Sequence, residues 1–145
     1  MDKFTYLILL IIPVIIISCS SGKENTIGSE ASLSNIKWVA VNIGGQSVTN
    51  TDYTLSAPWI VMKVNATVFD GNTGCNTMKG IVHATNTSIY FNNITTTKVA
   101  CTKGDEGKFL RALTSADSWT KENDMLYLYS GKVVTAVFKR EEQQD

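Results

Sequence analysis

Few side chains in this chain of 145 residues are equipped for chemistry, and their spacing narrows what that chemistry is. Of the three cysteines, Cys75 lies in Phe69-Asp70-Gly71-Asn72-Thr73-Gly74-Cys75-Asn76-Thr77-Met78-Lys79-Gly80, a corner rich in turn formers between apolar, strand-like flanks. Cys101 follows 26 residues later. Such a pair is a structural disulfide, two packed free thiols, or a metal or redox pair. The last needs partners that the sequence does not supply. There is no Cys-x-x-Cys, and His83 is the only histidine, so a closed zinc site would lack a fourth soft ligand. His83 is also the side chain whose ordinary pKa lies near neutrality, which suits a general base. It sits in Ile81-Val82-His83-Ala84, a strand pattern with no serine elbow or acidic partner, and reads as a strand histidine facing solvent or a polar neighbour. Asp70 reads as a turn residue, and Asp105 and Glu106 as charges at a helix start, better than as paired acid–base carboxylates. No phosphate loop, HExxH or EF-hand pattern occurs. The expectation is a protein without catalytic residues, metal or cofactor.

The compartment decides what the thiols do, and the N-terminus speaks to it. After Lys3 comes an apolar run, Tyr6-Leu7-Ile8-Leu9-Leu10-Ile11-Ile12-Pro13-Val14-Ile15-Ile16-Ile17. As a helix it reaches about 18 Å, short of a bilayer core of about 30 Å, and Pro13 argues further against a spanning helix. A secretory leader fits better. Its end, Ile16-Ile17-Ser18-Cys19, resembles the lipobox of bacterial lipoprotein precursors, in which the thiol is alkylated by diacylglycerol and the chain is cut before the modified cysteine. That reading makes 1–18 a signal peptide and 19–34 a flexible tether carrying lipid on Cys19. Residues 35–140 form the folded domain and 141–145 a charged tail. Palmitate-type chains contribute about 0.8 kcal/mol per buried methylene, enough to hold the protein on a membrane of the bacterial envelope, expected to be the outer membrane on its periplasmic or surface face. In that oxidising setting Cys75 and Cys101 are a natural pair, and a disulfide between them would stabilise by about 3–4 kcal/mol through loop entropy.

The elements that must position these residues are mostly short strands. Residues 36–42 are predicted as a strand with Trp38 anchoring its Ile36/Trp38/Ala40 face, ended by Gly44-Gly45, with a polar loop to Pro58. Residues 59–64 and 66–69 read as two short strands around Asn65 or one bent strand. A strand over 78–84, a turn at Asn86-Thr87, a strand over 88–91, a turn at Asn92-Asn93 and a strand over 94–101 follow. Gly71 and Gly74 are expected to take left-handed backbone conformations that aim Cys75 across the sheet. The period then changes. Phe109, Ala112, Leu113 and Ala116 recur at helical spacing within 105–116, with Asp105 and Glu106 at the favoured end of the helix dipole. Strands return at Trp119, 125–129 and 133–139, the last two joined by a Ser130-Gly131-Lys132 turn. The fold class is α+β, mostly antiparallel β, with one helix.

The order of these landmarks resembles the META domain family of HslJ-like heat-shock proteins and envelope lipoproteins. The matching residues are Trp38, then Gly71, Gly74, Cys75, Asn76 and Gly80, then the segment from Ile94 to Cys101, Glu106 with Phe109, Leu110 and Leu113, and Leu126-Tyr127-Leu128. Lys98-Val99-Ala100 departs from the family's more usual arginine or methionine. The resemblance covers about residues 36–139 and implies a small incomplete (cracked) β-barrel with one helix packed on it, no established enzymatic activity, and association with heat shock and envelope stress.

Net charge is zero, 13 basic against 13 acidic residues, so there is no field to hold a phosphate backbone and nucleic acid is not an expected partner. The expected partners are the membrane, through Cys19, and an envelope protein or ligand of unknown identity. A monomer is expected. The leading expectation is a non-catalytic envelope lipoprotein with a binding or stress-related role. A carrier of small ligands or lipid in the barrel interior is the alternative, disfavoured by the bulk of Trp38, Phe91 and Phe138, and a hydrolase built on His83 ranks last.

Overall fold

The computed structural model describes residues 29–141; the leader, Cys19 and residues 142–145 lie outside the described residues. The elements are β1 (Lys37–Ile43), β2 (Gln46–Ser47), β3 (Trp59–Lys63), β4 (Val68–Asn72), β5 (Thr77–Ala84), β6 (Ile89–Thr96), α1 (Glu106–Thr114), β7 (Ser118–Glu122), β8 (Met125–Ser130) and β9 (Val133–Arg140). The strands form one antiparallel sheet in the order β6-β5-β4-β3-β1-β9-β8-β7, with β2 hairpinned on β1. The sheet curls into a half-barrel until its two edges touch at one end. There Ser88 lies opposite Ser118, Trp119 N–H donates to the Thr87 carbonyl at 3.1 Å, and Ile89 N–H donates to the Asp117 carbonyl at 3.1 Å.

Alternation drives the curl. Trp38 and Ala40 point inward from β1, and an irregularity between Ala40 and Asn42 resets the phase so that Ile43 is also buried. The interior holds Trp38, Ile60, Met62, Phe69, Leu128 and Phe138, each at most 1% exposed. Helix α1 is nine residues long, marginal in isolation, and depends on docking. Phe109 and Leu113, both 0% exposed, supply that at about 1.5–3 kcal/mol each. Phe109 meets Phe138 edge-on at 6.2 Å between centroids, and Asp105 caps the helix by accepting from Lys108 N–H at 2.8 Å.

Several expectations need correction. The folded part begins before residue 35. Residues 30–33 make a 3-10 turn, Leu33 is fully buried, and Asn35 N–H donates to the Met62 carbonyl at 2.8 Å, so 29–34 belong to the domain and not to a tether. The segment 59–69 resolves as two strands, parted by a 3-10 turn over Val64–Ala66. Asn92-Asn93 is no turn. Strand β6 runs straight through it, with Asn93 at φ 50° forming a bulge where two residues oppose Gly80. The strand then stops at Thr96, and 97–105 is irregular. Asp70 lies within β4, with Lys63 at 3.9 Å, because the turn itself comprises only residues 73–76. The loop after Gly44-Gly45 contains β2 and a 3-10 turn over Asn50–Asp52, which has a capping box from Thr49.

Candidate functional site

Three loops converge at one end of β3 and β4, namely 49–57, 73–76 and 97–105. Their centre is Asn76, 2% exposed. Its side-chain oxygen accepts from Thr97 Oγ1 and from Val99 N–H, each at 2.8 Å. Its amide donates to the Val99 carbonyl and to Glu106 Oε2, each at 3.2 Å, and lies 3.4 Å from Cys101 Sγ. One buried amide therefore gathers the irregular segment after β6 and the first residue of α1. Its backbone is held as well, because Thr73 Oγ1 accepts from Asn76 N–H at 3.0 Å while Thr73 N–H donates to the Asn76 carbonyl at 2.8 Å. Cys75 and Cys101 are joined as a disulfide beside this hub, their Cα atoms 5.9 Å apart.

The third loop is clamped by Tyr53, buried in a stretch that reads from sequence as plain polar loop. Gly74 and Gly104, at φ +95° and +88°, lie against its ring, and a Cβ at either would overlap the ring atoms. Burial pushes the Tyr53 phenol above its ordinary range, helped by the negative charges of Asp105 and Asp52. Asp52 is held below the usual carboxylate range, first by the Thr49 hydroxyl at 2.8 Å and then by Thr49 N–H at 2.6 Å. Thr54 Oγ1 accepts from Thr102 N–H at 3.1 Å and Lys103 N–H at 3.0 Å, and Leu55 N–H donates to the Gly74 carbonyl at 2.9 Å. The polar groups of the corner are thus largely spent on one another. Its outer surface is mixed, with exposed Lys98, Lys103 and Asp52 beside two exposed apolar side chains, Leu55 at 67% exposure and Val99 at 65%.

The site residues singled out by sequence separate into two groups. Gly74, Cys75, Asn76, Cys101 and Glu106 meet at the corner. Glu106 is more than a helix-start charge, since one oxygen holds Asn76 while Oε1 is buried without a hydrogen-bond partner among the described residues. Trp38 is a core residue whose Nε1 donates to the Leu33 carbonyl at 3.2 Å. Gly71 does not take the left-handed conformation expected of it. It lies in β4 and is a glycine for want of space, because a Cβ would come within 2.5 Å of the Trp59 carbonyl oxygen. Gly80 faces the bulge, where a Cβ would come within 2.9 Å of the Asn92 carbonyl. Cys101 sits in the irregular segment and not at a strand end. His83 is exposed on β5 opposite Tyr90, away from the corner. Among the described residues no three histidine, cysteine or carboxylate side chains converge as metal ligands, and no helix is long and apolar enough to cross a membrane. Tyr53 and Thr54 do not stand out in the sequence as site residues. The one sequence signal for them is an aromatic alone in a polar loop.

A curled antiparallel half-barrel with one docked helix and a Gly-Cys-Asn corner marks the class of protein to which this chain belongs. The META domain profile matches residues 31–143, and the chain belongs to the META domain family. The chain is also similar to a protein from Burkholderia xenovorans solved by NMR, with 20% identity and a TM-score of 0.59 over 78% of this chain and 86% of that one. A DUF4847 family protein from Bacteroides vulgatus, solved by crystallography, gives 17% identity and a TM-score of 0.57 over 81% of this chain and 100% of that one. At these identities the structures speak to the fold alone. No curated protein matches.

Proposed function

We propose that this chain is an HslJ-like lipoprotein of the bacterial envelope, anchored through lipid on Cys19. It acts without catalysis, by binding an envelope protein or ligand on the outside of its half-barrel under stress. The observation that carries the outward-facing part is the filled interior. Trp38, Phe69, Phe109 and Phe138 occupy it at 0–1% exposure, which favours surface binding over carriage inside the barrel. The Ile16-Ile17-Ser18-Cys19 ending of the leader supports the anchor. The position of His83, exposed and paired across the sheet only with Tyr90, supports a non-catalytic role.

Geometry adds a direction. The chain enters the domain beside Met62 and Val64, at the far end of β3, whereas the disulfide corner lies beyond Trp59 and Asn72 at its near end. Five strand residues separate the two ends, about 17 Å. Entry of the chain at the opposite end of the domain supports a reading in which Leu55 and Val99 are open to a partner.

The test is acyl labelling and detergent-phase partitioning of the full chain and of Cys19→Ala, expressed in an envelope-bearing bacterium. Labelled, membrane-bound wild type and an unlabelled variant are expected. An unlabelled, soluble wild type sinks the anchor. Loss of a stress phenotype in His83→Ala, at unchanged thermal stability and protein level, sinks the non-catalytic reading.

A further inference from the structure

The corner does not exhaust the surface. A groove of about 470 Å³ runs between α1 and the start of β9, within the range of small-ligand sites. One wall carries Lys108, Arg111 and Ala112, the other Val133, Val134 and Thr135, and Gly44, which follows β1, also lines the groove, its N–H donating to the Thr135 carbonyl at 2.8 Å. The groove is unlike the corner in two respects. Its lining holds two cations and no carboxylate, in a chain whose net charge is zero. Its hydroxyls are turned to local use. Thr114 Oγ1 donates to the Leu110 carbonyl at 3.0 Å, Ser115 Oγ to the Ala112 carbonyl at 3.5 Å, and Thr135 Oγ1 to the Leu128 carbonyl at 3.4 Å.

Polar recognition is left to the cations. Lys108 Nζ is steadied by Gln46 Oε1 at 2.6 Å and keeps further protons to donate. Arg111 is exposed, and its guanidinium has no hydrogen bond or ion pair among the described residues. The apolar part is aliphatic throughout, with Val133 exposed at 68% although it is a large hydrophobic residue beside a turn. Aliphatic walls, an open side and a cationic rim match one ligand chemistry. We propose that this groove binds a single-chain fatty carboxylate, with the alkyl chain along Ala112, Val133 and Val134 and the carboxylate on Arg111 and Lys108. Arg111 suits the carboxylate because its planar fork can donate two parallel N–H bonds to the two carboxylate oxygens. The proposal deepens the surface-binding reading and rests on it, while the anchor on Cys19 is independent of it.

The experiment uses the full chain in zwitterionic phosphatidylcholine nanodiscs, a diazirine-bearing fatty acid as photoprobe, and mass spectrometry to map adducts. Acylation of Cys19 is scored in the same preparation, so failure of the anchor and failure of the groove are read separately. Adducts are expected on 112–115 and 133–135, with competition by laurate and none by dodecanol at equal concentration. Arg111→Gln should raise the half-saturating concentration about tenfold, from loss of one charge-assisted contact, and Arg111→Lys should recover part of it. Val133→Asp, at an exposed position that leaves folding intact, should abolish the adducts. Adducts centred on Leu55 and Val99, equal competition by dodecanol, or equal competition by phosphatidylglycerol vesicles would each overturn the proposal.

Discussion

Replacing Asn76 tests whether the corner is held by one side chain. In Asn76→Ala four hydrogen bonds are lost, to Thr97 Oγ1 and Val99 N–H at 2.8 Å and to the Val99 carbonyl and Glu106 Oε2 at 3.2 Å. A typical intramolecular bond contributes about 0.5–1.5 kcal/mol net, and one to a charged group about 1.5–3 kcal/mol. Thr97 and Val99 are exposed, so water replaces much of what they lose, while Glu106 is half-buried and recovers less. The expected loss is therefore about 3 kcal/mol, or about 10–15 °C in Tm for a domain of this size. Urea unfolding followed by tryptophan fluorescence, with the disulfide kept oxidised, measures it as a shift in midpoint at constant m. A loss under about 1 kcal/mol would refute the argument, since four bonds to a buried amide cannot be that cheap. Asn76→Asp sharpens the test. It keeps the two accepted bonds but turns a second acceptor toward the Val99 carbonyl and Glu106. Repulsion raises the pKa of the introduced carboxyl in the folded state above its unfolded value of about 3.9. A raised folded value means the deficit is small below that pH and grows as pH rises through the folded value, so the variant should approach wild type near about pH 4 and fall away toward neutrality.

Three further outcomes are expected. Protein purified without reductant should yield no alkylatable thiol at Cys75 or Cys101, and the double variant Cys75→Ala/Cys101→Ala should lose about 3–4 kcal/mol of stability, from release of a 26-residue closure. Gly74→Val should cut folded yield and slow oxidation of the pair, measured by thiol titration during refolding, because the side chain would enter the Tyr53 ring at a φ of +95°. Asp117 accepts from Gly131 N–H and from Ser118 Oγ, each at 2.7 Å, and these bonds hold its carboxyl below the usual range. A depressed folded value means its contribution is present above the unfolded pKa and lost as pH falls through the folded one. Asp117→Asn should therefore lower Tm more at about pH 6 than at about pH 3, and equal shifts at both would contradict the reading.

Local and periodic features are legible in the chain before it folds. The alternation around Trp38, the helical recurrence of Phe109, Leu113 and Ala116, the glycine hairpins and the β-branched runs identified almost every element, because burial on one face imposes its period on the residues themselves. Landmark order from Trp38 through Gly74-Cys75-Asn76 to Cys101 was enough to point to the family. The remaining features depend on contacts between distant segments. The bulge at Asn93 is set by its opposite number Gly80 on another strand, so the dipeptide read by itself looked like a turn. Leu33 joins the core because the curled sheet leaves room beside Trp38 and Met62, which a polar neighbourhood in sequence could not reveal. Tyr53 matters because two distant glycines flatten against its ring, and Glu106 because Asn76, 30 residues away, turns an amide toward it. The groove beside α1 exists only once the helix is laid along β9, with Arg111 and Val133 facing one gap from elements that have no pattern in common. Local pattern reports which face is buried; which side chains share the surface between elements is set by how the sheet closes.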